Sequence, residues 1–302
     1  MSRLWPDPPT PAGLLDTNTI FAVYGRGFGI APILGHLGTY ANMDLMAADT
    51  KPWVAKITPV NEGKGVITGI DLIYALAIPC PTGPPTCLQY QDKTLEDKYI
   101  KPAADRGWAV ILDNQLGRSN PVTEVKRMID KGYMKYENVH IALDPEYHSV
   151  PGHETPGIPV GTVTAAQINE VQEMLSKYVE TEHLKTKKIL IVHQFGDAAV
   201  HDGVPVMIAD KTALKSYPNV ELVIDADGLG PPAEKVRKYN IMTNPATYQA
   251  VHFAGIKVFF PNQWEKTGHF DKPPMNIEQI FGLAPVGTKL KMTTKPNLLI
   301  IA

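Results

Sequence analysis

Acidic side chains recur at the ends of short apolar runs. WAVILD closes on Asp113 and leads to Gln115, VHIALD closes on Asp144 and leads to Glu146, and VELVID closes on Asp225 and leads to Asp227. KILIVH ends in His193, followed by Gln194, and TIFAVY ends in Tyr24, with Arg26 two residues on. IKVFF ends in Phe260, with Trp264 shortly after. Residues i and i+2 of an extended strand face the same side, so Asp144 with Glu146, Asp225 with Asp227 and Asp113 with Gln115 can project together. Neighbouring carboxyl groups raise one another's proton affinity, and the pair that results is unequal. Such a pair is the working part of glycoside hydrolysis: one group protonates the leaving oxygen, and the other attacks or activates water.

In that reading Glu146 is the general acid/base, and Asp144 or Asp225 is the partner carboxylate. Tyr24, Arg26, Asp113, Gln115, His193, Gln194, Asp227, Phe260 and Trp264 would position the substrate. Two alternatives stand beside it. The same acids with His193 suit a divalent ion that activates water, which would make a metal-dependent hydrolase or isomerase. A non-catalytic barrel that binds glycans or a surface, within a larger assembly such as a phage particle, is the other. No HxH follows the first run and no HExxH occurs, which weakens the zinc case, and the leading reading needs neither a metal nor another cofactor. GxSxG and Walker A motifs are absent, and Lys188 and Lys257 fall early in their runs, which disfavours a Schiff-base lysine at a strand end. Structural roles compete at each position: Asp113 and Asp225 as helix caps, His193 as a core residue, Phe260 and Trp264 as packing.

Side chains at run ends need a scaffold that brings the ends together. Eight runs qualify, at 19–24, 70–77, 108–113, 139–144, 188–193, 220–225, 256–260 and 297–301. Most are continuously apolar rather than alternating, as expected of parallel strands covered on both faces. Helical spacing falls between them at 95–106, 121–132, 164–182, 232–239 and 276–283, with further candidates at 42–60, interrupted by Pro52, and at 204–216. Asn120 before Pro121 reads as an N-cap, and Thr164 with Gln167 as a capping box. The alternation predicts an α/β chain folded as a single (β/α)8 TIM-type barrel over residues 19–302, behind a Pro-rich arm over 1–18. The rival, a doubly wound sheet, would carry GxGxxG after an early strand; GRGFG at 25–29 lacks that spacing. A barrel of this type keeps its site at the C-terminal ends of the strands.

Bulk properties narrow the partners. The 302 residues carry 29 Lys+Arg against 31 Asp+Glu, a net charge of -2, which excludes a strongly basic nucleic-acid binder. No apolar run approaches the ~18 residues of a membrane helix. A glycan or other small polar substrate is therefore expected, without nucleic acid or membrane insertion. MSRLWPDPPTPAGLLD shows no signal-peptide pattern, which leaves an extracellular or virion-associated location open. Cys80 and Cys87 flank CPTGPPTC and are read as free thiols, with a disulfide as the alternative. Thirteen of the 27 prolines fall in the loops after the second, fourth, sixth and seventh runs, which predicts stiff loops around the site.

The ordered set ILDNQLGRSNP, IALDPEYH, VHQF and VIDADG, with the opening VYGRGFGIAPILGHLG, resembles a group of uncharacterised bacterial proteins. That group has predicted TIM-barrel domains and is often exported or lipoprotein-like. The likeness runs from about Phe21 to Phe260. It implies a barrel similar in layout to glycoside-hydrolase barrels, and no particular activity.

Overall fold

In the computed structural model, described over residues 10–30, 35–80, 85–149, 155–197, 206–261 and 269–302, eight parallel strands pair in chain order and close on themselves. They are β1 (Asn18–Gly25), β2 (Gly65–Ala77), β3 (Ala109–Asn114), β4 (Val139–Leu143), β5 (Lys188–Gln194), β6 (Val220–Ala226), β7 (Phe253–Val258) and β8 (Leu298–Ile301). β1 pairs with both β2 and β8, which closes the ring. The α/β barrel of the sequence reading is the observed fold.

Period-two alternation divides each strand between two cores. Ile20, Ala22 and Tyr24 of β1 join Ile111, Ala142, Ile191, Val223 and Ile300 inside the barrel. Phe21, Val23, Leu112, Ile141, Val192 and Ile224 pack outward against the helices. Because both faces are covered, the strands read as continuous apolar runs. The lower end is closed by α1 (Leu14–Thr17), whose Leu15 is fully buried in the interior cluster. Glu221 of β6 accepts hydrogen bonds from the Leu14 and Leu15 amides at 3.0 and 3.1 Å. The last residues of the Pro-rich arm thus plug the barrel floor rather than merely leading into it.

Helices start where their caps predict. Asn120 accepts from the Val122 amide at 2.8 Å to open α4 (Pro121–Asp130), and Gly132 follows its end at φ 78°. Thr164 and Gln167 form the capping box of α5 (Ala165–Thr181). The ambiguous segment at 42–60 is one helix, α2 (Met43–Ile57), which runs through Pro52 and is capped by Asn42. Between residues 95 and 106 a π turn (Glu96–Ile100) leads into the short α3 (Lys101–Ala104); Pro102, with no amide hydrogen to give, sits just past the junction. α6 (Pro232–Met242) and α7 (Ile277–Ile280) follow later in the chain.

Two expectations fail. Residues 206–216 hold no α-helix: a two-residue strand (Ile208–Ala209) pairs with Val163–Thr164, and a single 3-10 turn follows at Lys211–Ala213. Asp210 at φ 54° breaks any helical path there. Cys80 and Cys87 are a disulfide, Cα to Cα 5.8 Å, not free thiols. β2 runs on past the barrel and pairs antiparallel with Leu88–Tyr90, and the Ile78 amide bonds the Cys87 carbonyl at 2.9 Å, so the hairpin itself delivers the two cysteines to each other.

Candidate active site

The inward positions at the C-terminal ends of the strands form a pocket of about 190 Å³. β1 contributes Tyr24. The turn after β4 contributes Asp144, Glu146 and Tyr147, and the loop after β5 contributes Phe195. Asp227, Gly228 and Leu229 follow β6, and Lys257 and Phe259 come from β7 and its end. Asp144 orients its turn by accepting from the Glu146 amide at 3.3 Å. The loop beyond folds back over this turn: the Gly161 amide bonds the Glu146 carbonyl at 2.9 Å. Gly157, at φ 75°, lies so close that an added Cβ would sit 3.4 Å from the Tyr147 ring and 3.6 Å from Glu146 Oε1.

A second polar layer lies directly beneath, formed by Asp71, Asp113, His193 and Asp225, each 0% exposed. His193 Nδ1 is 2.9 Å from Asp225 Oδ2, and Nε2 is 3.9 Å from both Asp71 and Asp113. Strand register makes this possible: Tyr24 pairs with Asp71, and Asp225 is level with both His193 and Gly255. Gly255 leaves the room that Asp225 occupies, since a Cβ there would lie 2.7 Å from Asp225 Oδ1. Lys257 links the layers. Its ammonium is 2.8 Å from Asp227 Oδ2 and lies over the Tyr24 ring, 3.9 Å from the centroid.

This crowding sorts the carboxyl groups. Burial, reinforced by Asp144 and Asp227, pushes Glu146 up to about 8. Burial and Asp113 push Asp144 up to about 7. Burial also raises Asp113 to about 7 and Asp71 to about 6, against the pull of His193. Asp227 goes the other way. Burial would raise it, but Lys257 and His193 outweigh burial and hold it at about 2. Burial and Lys257 work against charge on His193, yet the Asp225 hydrogen bond and the surrounding carboxylates raise it to about 10. Lys257 too is held above its ordinary value, since Asp227 and Asp71 overcome its burial. At neutral pH the pocket therefore presents a protonated Glu146 and an ionised Asp227 on shared walls.

Of the residues singled out from sequence, Tyr24, Asp144, Glu146 and Asp227 line the pocket, and Asp113, His193 and Asp225 lie in the layer below. Others point elsewhere. Gln194 faces outward from β5, where its Oε1 accepts from Lys211 Nζ at 2.6 Å. Gln115 is tied to the end of β2, accepting from the Ala77 amide at 3.0 Å. Phe260 packs edge-on against Trp53 in the outer core. Arg26 does not line the pocket; its carbonyl accepts from Gln91 Nε2 at 2.7 Å. Trp264 lies outside the described residues.

Sequence reasoning missed Asp71, Lys257, Tyr147, Phe195 and Phe259. It set Lys257 aside because the run was started at residue 256. β7 begins at Phe253, so Lys257 is its penultimate residue. The alternation Phe253, Gly255, Lys257, Phe259 was the signal that would have found it.

No protein-family model matches the chain, and no curated protein matches it in sequence. Among solved structures it is similar to GH26C from Muricauda sp. MAR_2010_75, with a TM-score of 0.38 and 11% identity over 95% of this chain and 80% of that one. A likeness this loose carries no argument about chemistry, which rests on the geometry above.

Proposed function

We propose that this pocket hydrolyses a glycosidic bond, with Glu146 as the acid that protonates the leaving oxygen and Asp227 as the ionised partner. The observation that carries the reading is the asymmetry between two carboxyl groups on one pocket: Asp227 has a lysine ammonium at 2.8 Å, while Glu146 faces carboxylates. Environments that push two carboxyl groups apart in proton affinity assign the acid and the base or nucleophile. Asp227 replaces Asp225 as the partner carboxylate, because Asp225 lies below the pocket and is engaged by His193.

Tyr24, Tyr147, Phe195 and Phe259 supply aromatic walls for stacking on a sugar ring. The volume is below the ~300 Å³ at which drug-sized sites begin, which favours a terminal sugar unit over a long buried chain. The Cys80–Cys87 disulfide supports an oxidising compartment, where extracellular glycans are met.

The test is a panel of aryl glycosides and polysaccharides, with release of phenol or new reducing ends as the readout. Glu146→Gln should lower turnover by about 10²–10⁴-fold with the circular dichroism spectrum unchanged. Full activity in that variant removes Glu146 from the mechanism. Glycan binding by the wild type without any cleavage would make this a binding barrel instead.

A further inference from the structure

We propose that Asp71, Asp113 and His193 form a buried site for one divalent transition-metal cation, of the Zn²⁺ or Mn²⁺ kind, on the barrel axis beneath the pocket. This site does not depend on the hydrolase reading.

The first ground is a set of polar atoms with nothing to bond. Among the described residues, both carboxylate oxygens of Asp71, both of Asp113 and Nε2 of His193 are buried without a hydrogen-bond partner. All three side chains are 0% exposed. Most buried polar groups in folded proteins are hydrogen-bonded and the exceptions are scattered, whereas here five such atoms from three strands converge on one place. Among the described residues the nearby cation, Lys257, is already bonded to Asp227.

The second ground is spacing. Nε2 is 3.9 Å from an oxygen of each aspartate, and ligand atoms of the three residues lie within 4.8 Å of one another. At 3.9 Å the atoms are too far apart for hydrogen bonds. In a triangle with two 3.9 Å sides and a third no longer than 4.8 Å, the point equidistant from the corners lies roughly 2.0–2.5 Å from each. The short end of that range matches zinc–oxygen and zinc–imidazole bonds.

The third ground is the orientation of the histidine. Nδ1 donates to Asp225 Oδ2 at 2.9 Å. A cation between the two aspartates would displace the proton that these carboxylates otherwise hold on Nε2, and the Nε2 lone pair of the neutral ring would then be directed at the ion. A ligating imidazole that hands its other N–H to a carboxylate is the usual outer support of a metal site. A neighbouring triad of His193, Asp225 and Asp227 is less suited, because Nδ1 and Asp225 are already bonded to each other and Asp227 is bonded to Lys257. Two carboxylates with one imidazole suit Mn²⁺ or Zn²⁺ better than Ca²⁺ or Mg²⁺, which take oxygen alone. Three protein ligands leave coordination positions open to water.

The experiment uses the full chain, stripped with chelator and titrated with Zn²⁺ and with Mn²⁺ by calorimetry. One ion should bind per chain. Asp71→Asn and Asp113→Asn should each weaken binding by about a hundredfold or more, and Asp225→Asn by about 10–100-fold through the loss of the imidazole's support. A wild-type measurement needs no variant to fold: in long-range ¹H–¹⁵N spectra of the histidine side chains, the His193 Nε2 signal should shift on addition of one equivalent of Zn²⁺. An unmoved His193 signal, the failure of both ions to bind stoichiometrically, or binding that survives in a folded Asp71→Asn/Asp113→Asn double variant would each overturn the proposal.

Discussion

Replacing Lys257 with methionine removes the ammonium while keeping most of the side-chain volume. In the intact protein the ammonium is 2.8 Å from Asp227, and both groups are almost completely buried. Asp227 is held at about 2 against an ordinary 3.8, a displacement worth roughly 2–3 kcal/mol at ~1.4 kcal/mol per unit. A folded-state value below the unfolded one gives stability that is present above about pH 4 and lost as pH falls through about 2. Without the lysine burial still acts, and only His193 and the Gly228 amide are left to favour the anion, so the value of Asp227 rises from about 2. Relative to wild type the variant therefore loses stability as pH rises through that new, higher value. Removing one partner of a buried pair typically costs about 3–5 kcal/mol. Lys257→Met should therefore be less stable than wild type by about that amount at pH 7.5 and by distinctly less at pH 4.5, where Asp227 takes up a proton. Urea denaturation of both proteins at the two pH values, with chelator present, measures the gap. A gap below about 1 kcal/mol, or one equal at both pH values, would refute the claim that Lys257 carries the charge of Asp227.

Other consequences are equally open to measurement. Leu15→Ala opens a cavity in the barrel floor, far from the pocket, and should cost about 2–5 kcal/mol in denaturant unfolding with turnover per folded molecule unchanged. Burial raises Glu221 to about 7. The stability linked to it is full below about pH 4.5 and is lost as pH rises through 7, so Glu221→Gln should flatten the pH–stability curve between 5 and 8. If Glu146 must carry a proton, kcat/KM should fall on the alkaline side with an apparent pKa of about 8; a profile flat through pH 9 contradicts that requirement.

The strands were legible because burial on both faces makes each one a continuous apolar run, and the caps were legible because their chemistry is local. Asn120, Thr164 and Gln167 act within a few residues of where they sit. The site was legible only in part, because which side chains face the axis depends on register, and register depends on partners far along the chain. Starting β7 three residues late turned Lys257 into an early-strand residue and put Phe260 where Phe259 belongs. Asp71 was hidden in mid-run: β2 is 13 residues long and outruns the barrel, so its functional level is set by pairing with Tyr24 rather than by its own end. Gln194 and Gln115 were drawn in by sitting at strand ends, yet one faces the helices and the other serves a neighbouring strand. The disulfide was not legible from CPTGPPTC alone, since it follows from the hairpin that β2 makes with Leu88–Tyr90.

The central claim is that one pocket holds a protonated Glu146 beside an ionised Asp227 at neutral pH. Carbon-13 NMR of carboxyl-labelled protein, with Glu146→Gln and Asp227→Asn used to assign the two signals, tests it without knowledge of the substrate. The account predicts that Glu146 titrates near 8 and Asp227 near 2. A Glu146 carboxyl that is fully ionised by pH 6 would contradict it.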